Sequence, residues 1–310
     1  MSFTTTVKNE ICSLEFSNTE NIALLSGFVR SNGKFENDSI ELSTENAKVA
    51  KKIYLILKSL YGIEVDLDQR NVANFSKKKN YIININTKVD EILSDLSVID
   101  DKKEFIEVPK EYVVDALEDK KAYLRGSFLS KGSINDPKTS QYHLEFGFDN
   151  KHEAVFVQRL LNEFDMNSKI IIRDTKYMVY IKEAEKISDF LKIINAFQAV
   201  LYYENIRIIK EQKNNTNRLN NCEQANMDKI IETCNNQLKD IEIIEQEMGL
   251  DLLDDKTKEA CLYRKKYPET SLTELSKIIF LETGSNITKS GMNHRFRKIK
   301  EIANRIKNKK

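Results

Sequence analysis

A helix-forming stretch near the C-terminus carries the side chains best suited to recognising nucleic acid. From Thr288 onward, Met292, Phe296, Ile299, Ala303 and Ile306 recur at steps of four, three, four and three, which places them on one face of a helix. Lys289, Asn293, Arg297 and Lys300 are expected on the opposite side, flanked by Ser290, His294, Arg295 and Lys298. Arg and Lys match guanine edges and phosphates, and Asn matches adenine, so such a helix suits a DNA major groove. Its N-terminal half is expected to touch bases, and its later lysines to hold the backbone. A merely solvated amphipathic helix also carries Lys and Arg, but usually interleaves acids with them. Here, from Asn286 to the end, nine bases face Glu301 alone, a net of +8. The 310-residue chain sums to only +1, so the rest carries about −7. That asymmetry points to a polyanion-binding end on an acidic body.

Other chemistries find little support. Cys12, Cys222, Cys234 and Cys261 are too scattered for a zinc site, which wants paired ligands a few residues apart, and are expected to be free thiols. His143, His152 and His294 sit in no metal-binding spacing, and glycine-rich phosphate loops are missing. No metal and no cofactor are therefore expected. No apolar run approaches the length that crosses a bilayer, and the expected location is cytoplasmic, with the nucleoid.

The basic helix needs a scaffold. A helical stretch from Asp254 to Tyr267 offers Ala260, Cys261, Leu262 and Tyr263 and is stopped by Pro268. Ser271 and Glu274 then form a capping box, which opens a second helix with Leu272, Leu275, Ile278 and Ile279 inward. Thr283, Gly284 and Ser285 turn the chain before Thr288 opens the basic helix, so three helices form an all-α helix-turn-helix domain over 251–310. Before it, 209–250 reads as a polar, Asn-rich connector in helical form.

Upstream, the chain repeats itself. ALLSGFVRSNG from Ala23 to Gly33 and AYLRGSFLSKG from Ala122 to Gly132 align at an offset of 99 residues, which pairs Gly27 with Gly126 and Gly33 with Gly132. Alternating stretches at Ser39–Ser43, Tyr81–Asn86, Tyr142–Phe148, Lys169–Arg173 and Tyr177–Ile181 predict strands, and Asn46–Tyr61 and Lys151–Phe164 predict amphipathic helices. The result is an α+β domain over 1–208, made of two αββαββα halves (1–108 and 109–208) with two saddle-like antiparallel sheets about a pseudo-twofold axis. Glycine at matching mid-helix positions costs about 1 kcal/mol of propensity each, so it is expected to serve close helix packing at the centre.

These repeats resemble the LAGLIDADG helices of homing endonucleases, while TKSGMNHRFRKIKEIA (Thr288 to Ala303) and NRLNNCEQAN (Asn217 to Asn226) are similar to segments of WhiA regulators. That family implies a DNA-binding transcription factor, linked to sporulation in some lineages and to cell division or chromosome segregation in others. The connection Phe280 to Ile287 is a few residues longer than is usual in the family. An active LAGLIDADG enzyme carries an acid just before the last glycine of each motif to hold divalent metal; those positions here are Asn32 and Lys131, so no cleavage is expected. Two alternatives stay open: a metal-dependent endonuclease with displaced carboxylates, for which Glu36, Asp38 and Asp136 lie nearby, and a structured-RNA binder. The implied partner is double-stranded DNA. The N-terminal domain either adds contacts through Lys77, Lys78, Lys79 and Lys131 or docks another regulatory protein; the sequence leaves oligomeric state open.

Overall fold

The computed structural model describes residues 2–36, 38–71 and 79–308 and divides into two compact units, Met1–Lys210 and Glu211–Lys310. Lys77 and Lys78 lie outside the described residues; Lys79 opens a strand.

The first unit holds the duplicated fold. One half is α2 (Asn18–Asn32), β1 (Lys34–Glu36), β2 (Ser39–Thr44), α3 (Ala47–Tyr61), β3 (Asp66–Asn71), β4 (Lys79–Ile85) and α4 (Val89–Asp95). The other is α5 (Leu117–Lys131), β5 (Gly132–Ile134), β6 (Leu144–Phe148), α6 (Lys151–Glu163), β7 (Lys169–Arg173), β8 (Lys176–Ile181) and α7 (Ala184–Ile193). Each half builds one antiparallel sheet, with strand orders β1-β2-β4-β3 and β5-β6-β8-β7, so the two share a topology. A helix not foreseen from sequence, α1 (Phe3–Cys12), precedes them and buries Phe3, Val7 and Ile11.

Register fixes which face of each sheet is covered. Ile40 and Leu42 of β2 pair with Ile85 and Ile83 of β4, and all four are fully buried against the helices. Phe146 pairs with Val179 and Leu144 with Ile181 in the second sheet, again buried. Because side chains alternate along a strand, the partners between them emerge on the opposite face.

α2 and α5 pack together at the centre as the glycines foretold. A Cβ on Gly27 would lie 2.4 Å from the Tyr123 carbonyl oxygen, and one on Gly126 would lie 1.9 Å from that of Leu24. Gly126 and Tyr123 are Gly27 and Leu24 shifted by the repeat offset, so exchanging the helices maps one contact onto the other. That exchange is the pseudo-twofold relation in atomic detail.

The second unit takes up the end of α8 (Phe197–Glu247), then α9 (Asp255–Lys266), α10 (Leu272–Thr283) and α11 (Lys289–Lys307). α8 begins in the first unit's core with Tyr203 and ends in the second unit's core with Ile241 and Ile244, both fully buried. The stretch read from sequence as a polar connector thus donates apolar side chains at its C-terminal end. Ile230, Ile231, Leu238, Ile241, Ile243 and Ile244 are interleaved there with acids, lysines and amides, and it is packing that buries Cys234, Ile241 and Ile244.

Candidate nucleic-acid interface

The scaffold of α11 is set by caps and one small core. The Ser271 hydroxyl accepts from the Glu274 N–H while the Glu274 carboxylate accepts from the Ser271 N–H, closing the capping box that starts α10. Gly284, at φ +73°, ends that helix in the left-handed conformation glycine adopts at no steric cost. The Thr288 hydroxyl then accepts from the Gly291 N–H at 3.2 Å and caps α11. Met292, Phe296, Ile299 and Ala303 of α11 bury against Ala260 and Cys261 of α9, Leu275 and Ile279 of α10, and Ile241 and Ile244 of α8.

Arg264, not singled out from sequence, locks this unit together. It is fully buried with no carboxylate partner: Nε donates to Gln237 Oε1 of α8 at 2.9 Å and Nη1 to the carbonyls of Thr270 (2.6 Å) and Tyr267 (3.3 Å). Its guanidinium also lies 5.4 Å from the centre of the Phe296 ring. Burial pulls its pKa below the usual arginine range. Its local partners are backbone carbonyls that any residue offers, and the side chain that accepts from it, Gln237 of α8, is 27 residues away, so the sequence does not mark it.

Sequence alone places Lys289, Asn293, Arg297 and Lys300 opposite the apolar stripe. Asn293, Arg297 and Lys300 instead run beside it, each one residue after Met292, Phe296 and Ile299 and hence about 100° round the helix. Lys289, Ser290, Asn293, His294, Arg297 and Lys300 are all exposed. Among the described residues, Lys289, Arg297 and Lys300 have no ion-pair or hydrogen-bond partner. No acid occupies the first turn of α11, so the positive end of its dipole is unopposed.

Two expected DNA ligands are engaged elsewhere. Arg295 is half-buried and its Nη1 donates to Glu259 Oε2 of α9 at 2.9 Å. Lys298, though exposed, donates to Asp254, the N-cap of α9. That ammonium and the Thr257 hydroxyl and N–H hold the Asp254 carboxyl far below the usual carboxylate range. Both bases lie on the flank of α11 that faces α9, where acids 36 and 44 residues upstream meet them. A helical wheel of α11 by itself cannot show this.

The two positions where the resemblance implies lost metal ligands are also occupied. Asn32 Oδ1 accepts from the Ser43 N–H at 2.7 Å and its Nδ2 donates to the Ser43 carbonyl at 2.9 Å, so α2's last residue is tied to β2 like a ladder partner. Lys131 Nζ lies 3.6 Å from Asp149. Of the nearby carboxylates, Glu36 belongs to β1 and Asp136 accepts from the Tyr202 hydroxyl at 3.2 Å. Among the described residues, no group of three His, Cys, Asp or Glu side chains is placed to hold a metal ion.

Comparison with known proteins places this architecture. Three family models match in succession: the WhiA N-terminal LAGLIDADG-like domain over 18–99, the WhiA LAGLIDADG-like domain over 120–213 and the WhiA C-terminal HTH domain over 216–303. The probable cell division protein WhiA of Bacillus cereus (strain G9842) is 41% identical over 312 residues, covering 99% of this chain and 98% of its own. The chain belongs to the WhiA family. A similar protein of Bacillus mycoides (strain KBAB4) is 40% identical over 99% of this chain and 98% of its own. The crystal structure of full-length WhiA from Thermatoga maritima matches with a TM-score of 0.58 and 25% identity, covering 98% of this chain and 99% of that one. A WhiA-family helix-turn-helix supports a DNA-binding regulator. No helix among the described residues is long and apolar enough to cross a membrane.

Proposed function

We propose that this chain is a sequence-specific, duplex-DNA-binding transcriptional regulator of the WhiA type that acts in cell division or sporulation and does not cleave its DNA. The observation that carries the proposal is the exposed flank of α11: Lys289, Ser290, Asn293, His294, Arg297 and Lys300 offer donors with no protein partner to satisfy, on a helix whose N-terminus is free of acids. Arg295 and Lys298 belong to the packing of α11 on α9 and are not part of the reading set. The cell-division role follows the name of the Bacillus relatives. Absence of cleavage is supported by the hydrogen bonds that commit Asn32 to Ser43 and by the positive charge of Lys131.

The N-terminal unit either docks another regulatory protein or adds DNA contacts, and its two sheets differ in the charge they present. The uncovered face of its first sheet presents Glu36, Glu41, Asp66 and Asp68 against Lys34 and Arg70, a net negative surface that suits a basic partner protein, whereas that of its second sheet presents Lys169, Arg173 and Lys176 against Glu145, a net positive surface that suits phosphate.

The test is selection of a duplex from a random-sequence library on the full chain, followed by anisotropy titrations. Arg297→Ala is expected to weaken the selected duplex by about 1–3 kcal/mol and to relax its sequence preference, and Arg295→Ala to leave both near wild type. Unchanged binding in Arg297→Ala removes α11 as the reading element; nicking of the selected duplex in Mg²⁺ removes the non-cleaving part.

A further inference from the structure

The bases of α11 divide by flank. Those facing α9 are neutralised, Arg295 by Glu259 and Lys298 by Asp254. Those on the other flank line a cleft of about 640 Å³ shared with the last turns of α8. Asn293, Arg297, Lys300, Asn304 and Lys307 form one wall, at steps of four, three, four and three, and Thr233, Asn236 and Lys239 stand on the other. Among the described residues, Lys239, Arg297 and Lys300 have no ion-pair partner. The cleft's one lining carboxylate, Asp240, is already paired with Lys307 at 3.1 Å. What remains is three uncompensated cations with hydroxyl and amide donors around them.

The α8 wall is fixed rather than loose. Gln237 is held by Arg264, Cys234 Sγ lies 3.6 Å from the Thr270 carbonyl as its donor, and Ile241 and Ile244 are buried in the same core as Phe296 and Ile299. The exposed residues Thr233, Asn236 and Lys239 therefore keep a set position beside α11. Phosphate contacts that fix a reading helix in register need such rigid donors, and a polyanion is the occupant this charge pattern complements.

We propose that the C-terminal turns of α8 are a second DNA-contacting element, and that a phosphate strand of the duplex runs in the cleft between α8 and α11, held by Lys239 together with Lys300. This rests on α11 binding duplex DNA, and it brings the duplex in on the α8 flank of that helix, away from α9. Lys239 contributes backbone grip and no sequence information.

The experiment measures affinity of the full chain for the selected duplex and for a scrambled duplex across a salt series, with Lys239→Ala, Lys239→Glu and Arg297→Ala. Lys239 is exposed and unpaired, so its variants are expected to melt like wild type. Lys239→Ala is expected to lower affinity for both duplexes by the same factor and to reduce the slope of log K against log salt by about 1; Lys239→Glu is expected to go further in the same direction. Wild-type affinity and slope in both Lys239 variants, with Arg297→Ala weakened, overturns the cleft while leaving α11 as the reader. Wild-type behaviour in all three overturns both. A structured RNA that competes as well as the duplex overturns the choice of occupant.

Discussion

Replacing Gly126 by alanine tests the packing at the centre of the first unit. The added Cβ would lie 1.9 Å from the Leu24 carbonyl oxygen, whereas ordinary contact begins near 3.4 Å, a shortfall of about 1.5 Å (3.4 less 1.9). That oxygen is backbone in the middle of α2 and cannot rotate away, so the two helices must part. They do so where nearly every side chain is buried, from Ala23 to Ser31 on one helix and from Ala122 to Leu129 on the other. Overpacking a core by a methyl costs about 1–3 kcal/mol when side chains can adjust, and a backbone obstacle places this case near about 3. Better helix propensity returns about 1 kcal/mol. The net loss of about 2 kcal/mol corresponds to a Tm lower by roughly 4–8 °C for a unit of this size. Calorimetry of the full chain reads it, with Gly291→Ala as control: a Cβ there meets nothing closer than Ile287 Cγ2 at 3.5 Å, so that variant is expected to hold or gain stability. If Gly126→Ala melts at or above wild type, close approach is not why glycine is there.

Three further outcomes are expected. Arg264→Met removes the donor that serves Gln237, Tyr267 and Thr270 and is expected to cost about 3 kcal/mol in urea unfolding of the second unit; a loss within error would show that other groups or water satisfy those oxygens. Burial pushes the Glu153 carboxyl up to about 7 from 4.5, against the Ser31 hydroxyl, Arg30 and Lys131, which favour its charge. The folded form keeps this proton in a range where the unfolded chain has lost it, so stability falls as pH rises between those values, by up to about 3 kcal/mol. Glu153→Gln should flatten that fall in urea midpoints compared at about pH 5 and about pH 8, and an unchanged slope would refute the assignment. Asn32→Asp loses its donor to the Ser43 carbonyl and sets a carboxylate against it, so a destabilisation of about 1–3 kcal/mol is expected in thermal melts, with no gain of Mg²⁺-dependent nicking; nicking by this single variant would show a metal site closer to function than the geometry allows.

Much of the site was legible because it depends on near neighbours. The capping box of Ser271 and Glu274, the turn at Gly284 and the Thr288 cap each involve residues within a few positions of one another, and each is formed. The apolar period of Met292, Phe296, Ile299 and Ala303 named the buried stripe of α11 correctly. The ion pairs of Arg295 and Lys298 were not legible, because Glu259 and Asp254 arrive on α9 and at its N-cap, and a charge count over α11 treats every base as free. α1 escaped for a similar reason: Phe3, Val7 and Ile11 are a short apolar series whose burial is supplied by elements elsewhere in the unit.

By itself the sequence determined the duplication, the elements of each half, the glycine pair that lets α2 and α5 meet and the basic character of the last helix, since periodicity, caps and the missing Cβ are local properties of the chain. Tertiary structure alone decided which flank of α11 stays available, that Asn32 is spent on Ser43, and that α8 lends both core and cleft to the second unit. Those outcomes turn on side chains 11 to 67 residues apart being brought within hydrogen-bonding distance. Only packing of the whole unit fixes such distances.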